Sequence, residues 1–149
     1  MSIDIRRATP GDVDVVAPLF DTYRVFYGKP SDPALARDFI DARLTRGESV
    51  ILLALQEGKA VGFTQLYPAF SSVSATHVWI LNDLLVLPDA RRGGVARALL
   101  SAAADFARAD GALRLELETD HDNHTAQALY QAMGWTLYDG TLRYRLPLR

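Results

Sequence analysis

The spacing of apolar residues differs along the chain, with a period of two in some segments, as in strands, and of about 3.6 in others, as in helices. Residues 3–6 alternate as a short strand does, and 49–55 and 60–66 are apolar runs joined by a tight polar turn, which predicts an antiparallel pair. The longest strand candidate covers 77–87 and ends before a proline, and leucines alternate with charged residues over 113–118. The pattern therefore predicts five strands before residue 119.

Four segments have helical spacing of apolar residues. Thr9-Pro10 and Asp32-Pro33 each place a capping side chain before a proline, which predicts that a helix starts at each. A third helix is predicted over 94–110, with Gly111 as its C-terminal cap, and a short fourth helix over 125–133.

The end of the chain predicts a closing hairpin. Residues 135–138 and 142–148 are strand-like and flank Asp139-Gly140, which suits a two-residue turn. The element order becomes β-α-α-β-β-β-α-β-α-β-β, and its strand–helix–strand unit over 77–118 predicts a parallel pair with a right-handed crossover. We expect an α/β fold in one domain over residues 1–149, with a mixed, mostly antiparallel sheet, a central parallel strand pair and flanking helices.

Composition narrows the function classes. The chain has 149 residues, a net charge of −2 and no cysteine, so thiol nucleophiles, disulfides and thiolate metal sites are excluded. The charge gives no reason to expect nucleic acid or a membrane as a partner. We find no signal-peptide pattern and no apolar run of about 20 residues, and so expect a cytoplasmic protein.

The segment between the longest strand and the third helix is a candidate anion site. It reads Arg91-Arg92-Gly93-Gly94-Val95-Ala96, followed by Arg97. N–H groups at a helix N-terminus are unpaired and positive, glycines let a pyrophosphate approach the backbone, and arginines add charge. A plain tight turn with solvated arginines is the alternative on these residues alone.

These residues resemble the GNAT superfamily of N-acetyltransferases. Arg91, Gly94 and Ala96 match the superfamily's acetyl-CoA loop, and Asn123 followed seven residues later by Tyr130 matches its second signature. The preceding segment, residues 82–86, occupies the position of the superfamily's central strand, and the resemblance extends over nearly the whole chain. Its segment lengths are similar to those of the diamine and polyamine branch, and the chain also resembles small histone or amine acetyltransferases.

The resemblance implies an enzyme that uses acetyl-CoA as cosubstrate and needs no metal. It also implies the residues that hold acetyl-CoA: Leu84, Leu85, Val86, Arg91, Arg92, Gly93, Gly94, Val95, Ala96, Arg97, Asn123 and Tyr130. For Leu84, Leu85 and Val86, core packing is compatible with cofactor contact. Asn123 could cap its helix or bond the pantetheine amide.

Tyr130 is the candidate general acid. The departing CoA thiolate needs a proton, and a phenol with an ordinary pKa near 10 is protonated at neutral pH and can donate one. A role in packing alone is the alternative. The general base is open among Asp83, His77 and Glu118. The polyamine branch has a Glu-Asp pair on the central strand, whereas this chain has Asn82 and Asp83.

The acceptor pocket is expected opposite the cofactor, lined by Tyr23, Tyr27, Asn82 and Asp83, with Phe26, Tyr67, Phe70 and Trp79 as further aromatic candidates. Core packing is the alternative for Phe26 and Trp79. Aromatic walls with a carboxylate suit an alkylammonium group. We therefore expect acetyl transfer to a small primary amine, such as a diamine, polyamine or amino-acid-like amine. A protein lysine or N-terminal acetyltransferase and a non-catalytic acetyl-CoA sensor are the alternatives, and a homodimer is expected.

Overall fold

The computed structural model describes residues 2–149 and divides into two compact units, Met1–Glu118 and Thr119–Arg149. The first unit contains a five-stranded sheet with strands in sequential order. Its strands are β1 (Asp4–Arg7), β2 (Val50–Gln56), β3 (Lys59–Ser71), β4 (Thr76–Val86) and β5 (Leu115–Leu117). Neighbouring strands are antiparallel except β4 and β5, which are parallel. The predicted mixed sheet and parallel pair are confirmed.

Three helices belong to the first unit: α1 (Val13–Phe26), α2 (Pro33–Arg46) and α3 (Val95–Ala109). Short 3-10 turns at Pro10–Asp12 and Pro88–Ala90 precede α1 and the loop before α3, and the second unit contains α4 (His124–Ala132). As predicted, Asp32 caps α2 by accepting a hydrogen bond from the Leu35 amide at 3.1 Å. The crossover from β4 through α3 to β5 places a helix start a short loop after an inner strand.

The two faces of the sheet bury different partners, because side chains alternate along a strand. Ile51, Leu53, Phe63 and Leu85 pack with buried residues of α1 and α2 such as Phe20 and Ile40. On the opposite face α3 contacts β2, β3 and β4. A glycine is required at residue 62 of β3, since a Cβ there would lie 2.6 Å from the Leu85 carbonyl oxygen and 3.3 Å from Val95 Cγ1. The tight packing anchors the start of α3 against the inner strands.

The predicted closing hairpin is wrong. Residues 135–149 contain no strand in the structure. The apolar side chains that alternate there are exposed, with Leu142, Tyr144, Leu146 and Leu148 at 83–88%. A two-stranded ribbon is marginal when neither face is buried, so alternation alone did not secure the pairing. β5 is also shorter than the predicted 113–118, and it is the last strand of the sheet, so the parallel pair lies at one side. One domain over 1–149 stays a prediction.

Candidate active site

A β-bulge interrupts β4 at Asn82. Gln65 of β3 pairs with Asp83, but the next residue, Leu66, pairs with Leu81, so Asn82 has no partner across the ladder. The parallel pairing of β4 with β5 covers residues 79–81 of β4 and ends at Leu81. β4 therefore loses its neighbour on the β5 side at the point where the bulge changes its direction.

Beyond the bulge, β4 offers an unshared backbone edge. The Leu87 amide donates to the Val61 carbonyl of β3 at 2.8 Å. Backbone groups of successive residues point to opposite edges, so those of Leu85 also face β3, whereas those of Leu84 and Val86 face the side where β5 has ended. Arg91 Nε donates to the Val86 carbonyl at 3.1 Å. An extended ligand backbone can pair with this edge as a strand would.

The loop after β4 makes a concave N-terminus for α3. Arg92 and Gly94 have left-handed backbones, with φ of 66° and 84°. The first helical bond runs from the Ala98 amide to the Gly94 carbonyl, which leaves the amides of residues 95–97 without helical acceptors. A Cβ at Gly94 would meet nothing within 4 Å, and the side chains of Arg91, Arg92 and Arg97 are exposed. These features together fit a phosphate or pyrophosphate group.

A buried carboxylate lies directly after the bulge. Asp83 is 1% exposed, and its two carboxylate oxygens accept hydrogen bonds from Gln65 Nε2 at 2.7 Å and Asn82 Nδ2 at 2.8 Å. Burial raises the pKa of the Asp83 carboxyl, while the two amide donors oppose that rise. Within residues 2–149 no ion pair includes Asp83. The site thus holds a carboxylate that only neutral donors stabilise.

Tyrosines surround this carboxylate. The Tyr23 hydroxyl of α1 donates to the main-chain carbonyl of Asn82 at 3.1 Å, and the ring of Tyr27 lies 4.9 Å from that of Tyr23. The pKa values of Tyr23 and Tyr67 are both raised, first by burial and then by the negative charge of Asp83. Three of the four residues predicted to meet the substrate, Tyr23, Asn82 and Asp83, are therefore brought together at the bulge. The fourth, Tyr27, lies beside Tyr23 and is exposed.

The second unit carries the other signature. Asn123 Oδ1 accepts a hydrogen bond from the Ala126 amide at 3.2 Å, so its capping role is confirmed. Tyr130 is half-buried on α4, and its ring centroid lies 6.1 Å from that of Trp135. The Trp135 amide donates to the Tyr130 carbonyl at 3.0 Å, which closes the end of the helix.

The model of the acetyltransferase (GNAT) family matches residues 16–135, more than half of the chain and parts of both units. The chain belongs to the GNAT family. It is an acetyl-CoA-dependent N-acetyltransferase whose acceptor the family does not specify.

Three similar proteins agree with this assignment. An uncharacterized N-acetyltransferase of Bacillus subtilis is 48% identical over 144 residues, 97% of each chain. An aminoglycoside N(6')-acetyltransferase of Klebsiella aerogenes is 29% identical over 113 residues, 74% of each chain. The crystal structure of a probable acetyltransferase superposes with a TM-score of 0.93 at 44% identity, covering 98% of both chains.

Several residues predicted for the acetyltransferase site lie elsewhere. His77 Nε2 is 2.8 Å from Asp110 Oδ2, and six strand residues, or about 20 Å, separate His77 from Asp83. His77 is therefore not a base beside Asp83. The core alternative holds for Trp79, which is 9% exposed with its ring 5.2 Å from that of Phe106. It fails for Phe26, which is 63% exposed.

The remaining candidates lie toward the edges of the sheet. Phe70 is 84% exposed near the end of β3. Glu118 is exposed and follows the last residue of β5. Leu117, the residue before Glu118, pairs with Leu81 of β4, so Glu118 comes directly after the end of the parallel pairing, next to the bulge. Phe70 adds no buried aromatic ring to the group around Asp83.

Sequence reasoning missed Ser49 and Gln65. Both are buried, at 6% and 0% exposure, and Ser49 Oγ donates to Gln65 Oε1 at 2.8 Å. The available signal was a glutamine inside the apolar run of β3, where a buried polar side chain requires a partner. In the part of the chain that the structure describes, no group of three His, Asp or Glu side chains is arranged to hold a metal ion, and no helix has the length and apolarity to cross a membrane.

The raised pKa of Asp83 predicts how the free energy of unfolding changes with pH. Its folded-state pKa is raised above the value of about 3.9 in an unfolded chain, so the folded state binds this proton more tightly. Wild-type stability should therefore fall, relative to Asp83→Asn, as pH rises from about 3.5 through the folded pKa. Urea unfolding of both proteins at a series of pH values measures the difference.

Asp12 provides a control of opposite sign. Hydrogen bonds from Arg6 and from the Thr9 amide hold the pKa of the Asp12 carboxyl well below its usual range. The Asp12 carboxylate stabilises the folded state at pH values above its unfolded-state pKa, and this stabilisation is lost as pH falls. The difference in unfolding free energy between the wild type and Asp12→Asn should therefore shrink on acidification. The pH trend predicted for Asp83 is contradicted if the wild-type protein gains stability relative to Asp83→Asn as pH rises.

Proposed function

We propose that the acceptor is a small primary amine, such as a diamine, polyamine or amino-acid-like amine, which attacks the thioester directly. The observation that carries this proposal is the buried Asp83 carboxylate, which neutral amides stabilise and whose charge acts on Tyr23 and Tyr67. A negative charge in a low-dielectric site attracts an ammonium group far more strongly than it would in water, and aromatic faces suit the same cation. Tyr23, Tyr27 and Asn82 are the residues proposed to meet the acceptor.

The similar proteins support a small acceptor. The Klebsiella aerogenes relative is named for aminoglycosides, which are small molecules that carry several amines. Asn82 stands where the polyamine branch has a glutamate, so this chain has one carboxylate at the bulge where that branch has two. We infer that the pocket binds one ammonium group closely and does not require a long polycation.

Acetyl-CoA would be held by two features of the first unit. We propose that the open backbone edge of Leu84 and Val86, with Leu85 between them, pairs with the pantetheine arm. The loop Arg91-Arg92-Gly93-Gly94, the amides of Val95, Ala96 and Arg97, and the Arg97 side chain would bind the pyrophosphate. Asn123 is a further residue that we propose for acetyl-CoA binding. When bound, acetyl-CoA supplies the acetyl group as an activated thioester.

Two residues are proposed to handle protons. Tyr130 would donate its phenol proton to the departing thiolate, since a phenol is protonated at neutral pH and can act as a general acid. Asp83 would assist removal of the proton from the ammonium group. At 1% exposure Asp83 acts through a water molecule or through its charge. The amine loses its proton before its lone pair attacks the carbonyl carbon.

An assay of CoA thiol release separates the candidate functions. The acceptors would be putrescine, spermidine, kanamycin and free lysine, set against peptides with a lysine side chain or a free N-terminus. We expect turnover with at least one small amine and little with peptides. Turnover with peptides alone would identify a protein acetyltransferase. Tight acetyl-CoA binding with no turnover on any amine would favour a sensor.

Tyr130→Phe tests the general acid. The variant keeps the ring and its packing beside Trp135. Turnover should fall by about 10²–10⁴-fold, equivalent to roughly 3–5 kcal/mol in the barrier, whereas acetyl-CoA affinity should change little. Tyr144→Phe is the matched control, since Tyr144 is 87% exposed in the same unit. Wild-type turnover in Tyr130→Phe would leave Tyr130 with a packing role.

Gly94→Glu tests the loop at the start of α3. The new side chain would enter the open space at Gly94 and place a negative charge where the pyrophosphate is proposed to bind. Acetyl-CoA affinity should fall below detection by calorimetry. Gly111→Glu is the control, because Gly111 is also left-handed and open but follows the other end of α3, roughly 25 Å away. Equal affinity in both folded variants would remove the loop from the site.

We further propose a cytoplasmic homodimer. An enzyme that consumes acetyl-CoA needs a compartment that supplies it. The apolar side chains of residues 137–148 are exposed and available to a second copy, among them Leu137 at 90% and Tyr144 at 87%. Light scattering at micromolar concentration should report about twice the mass of one chain, and a single-chain mass would contradict the dimer.

A further inference from the structure

A chain of hydrogen bonds leads through three neighbouring strands to the proposed acceptor site. It starts at Ser49, which directly precedes β2, and passes through Gln65 of β3 to Asp83 of β4. The donor–acceptor distances are 2.8 Å from Ser49 Oγ to Gln65 Oε1 and 2.7 Å from Gln65 Nε2 to Asp83 Oδ2. All three residues are buried, at 6%, 0% and 1% exposure.

The chain has a direction that the amide of Gln65 sets. An amide has one oxygen that accepts and one nitrogen that donates, so fixing one end fixes the other. An ionised carboxylate only accepts, so it takes the Nε2 end of the amide, and the Ser49 hydroxyl stabilises this orientation by donating to Oε1. A flipped amide would place its oxygen against Asp83, which would disfavour the charged carboxylate and favour the protonated acid.

We propose that Ser49 is a positioning residue that locks the Gln65 amide as a donor and so keeps Asp83 negatively charged for the acceptor amine. This inference rests on the proposed function of Asp83. Ser49 would act through Gln65, and Gln65 through Asp83. Neither residue would touch the acceptor.

The groups around Asp83 leave its charged form dependent on the hydrogen bonds that amide groups donate to it. Tyr23 faces it from α1 and Tyr67 from β3, and both phenols are neutral at physiological pH, since burial and Asp83 raise pKa values that are ordinarily already near 10. Arg43 of α2 acts on Tyr67, and Glu48 pairs with Arg43 at 2.9 Å. Burial therefore pushes Asp83 toward its acid form, and the amides of Gln65 and Asn82 are the groups that oppose it.

Thr64 provides a matched control in the same place. It is 0% exposed, and its hydroxyl donates to Asp83 at 2.7 Å, but the acceptor is the main-chain carbonyl. Thr64→Val removes one buried hydrogen bond next to Asp83 without touching the carboxylate. A merely structural effect would appear in this variant as well.

The test is a carbon-13 NMR titration of the Asp83 carboxyl in the whole protein without ligand, with Asp83→Asn used to assign the signal. Gln65→Met should raise the pKa of the carboxyl by about one to two pH units, the effect of losing a hydrogen bond to a charged group. Ser49→Ala should raise it in the same direction by about half a unit or more, and Thr64→Val should leave it unchanged. An unshifted carboxyl in Ser49→Ala and Gln65→Met overturns the proposal, as does an equal shift in Thr64→Val.

The pH dependence of kcat/KM separates this inference from the proposed function. With the best small amine from the acceptor assay, the acidic limb should move upward in Ser49→Ala and Gln65→Met by the amount seen in the titration. A limb that persists unchanged in Asp83→Asn would contradict the proposed role of Asp83 in acetyl transfer. The NMR titration would still decide the role of the chain from Ser49 to Asp83.

Discussion

The bulge at Asn82 is the constraint on which the site depends. One extra residue in β4 separates the pairing of Leu66 with Leu81 from that of Gln65 with Asp83. A one-residue shift moves every later side chain to the other face of the sheet, so it turns Asp83 and Leu85 toward α1 and α2. The same residue marks the end of pairing with β5, which exposes the backbone edge of Leu84 and Val86. One local irregularity thus prepares both the acceptor side and the proposed cofactor edge.

The buried polar residues around the bulge lower the stability of the folded protein. Ser49, Gln65 and Asp83 fill a volume that apolar side chains could occupy without any cost of desolvation. A buried carboxylate with neutral partners is stabilised less than a paired one, and such arrangements concentrate where a protein uses a perturbed charge. Apolar packing of Phe63 and Leu85 against the side chains of α1 and α2 offsets this cost. The proposed role of Asp83 toward the acceptor therefore carries a cost in stability.

The sequence was sufficient for features that depend on local pattern. Helix starts at Asp32 and Gly94, the hairpin of β2 and β3, and the parallel pair across α3 all follow from caps, turn residues and periodicity. The grouping of Tyr23, Tyr27, Asn82 and Asp83 came from the family resemblance, and the structure brings Tyr23, Asn82 and Asp83 together, with Tyr27 beside Tyr23. Their role toward an acceptor stays a prediction.

Features that depend on partners far apart in the sequence could not be predicted from the sequence. The bulge leaves no period break in an apolar strand, and Ser49 meets Gln65 only because β2 and β3 pair in one register. His77 was a reasonable base by type, but its partner Asp110 lies 33 residues away in sequence. Alternation over 142–148 suggested a strand, yet strand formation also needs a buried face and a partner, which a one-dimensional pattern does not supply.

The central claim is that acetyl-CoA occupies the open edge of β4 and the N-terminus of α3. Amide hydrogen exchange, with and without acetyl-CoA, measures this residue by residue. The account predicts new protection at the amides of Leu84, Val86 and residues 95–97, and no change at Leu85, whose amide faces β3 in both states. Protection confined to other segments, or saturating binding with unchanged exchange at Leu84 and Val86, would contradict it.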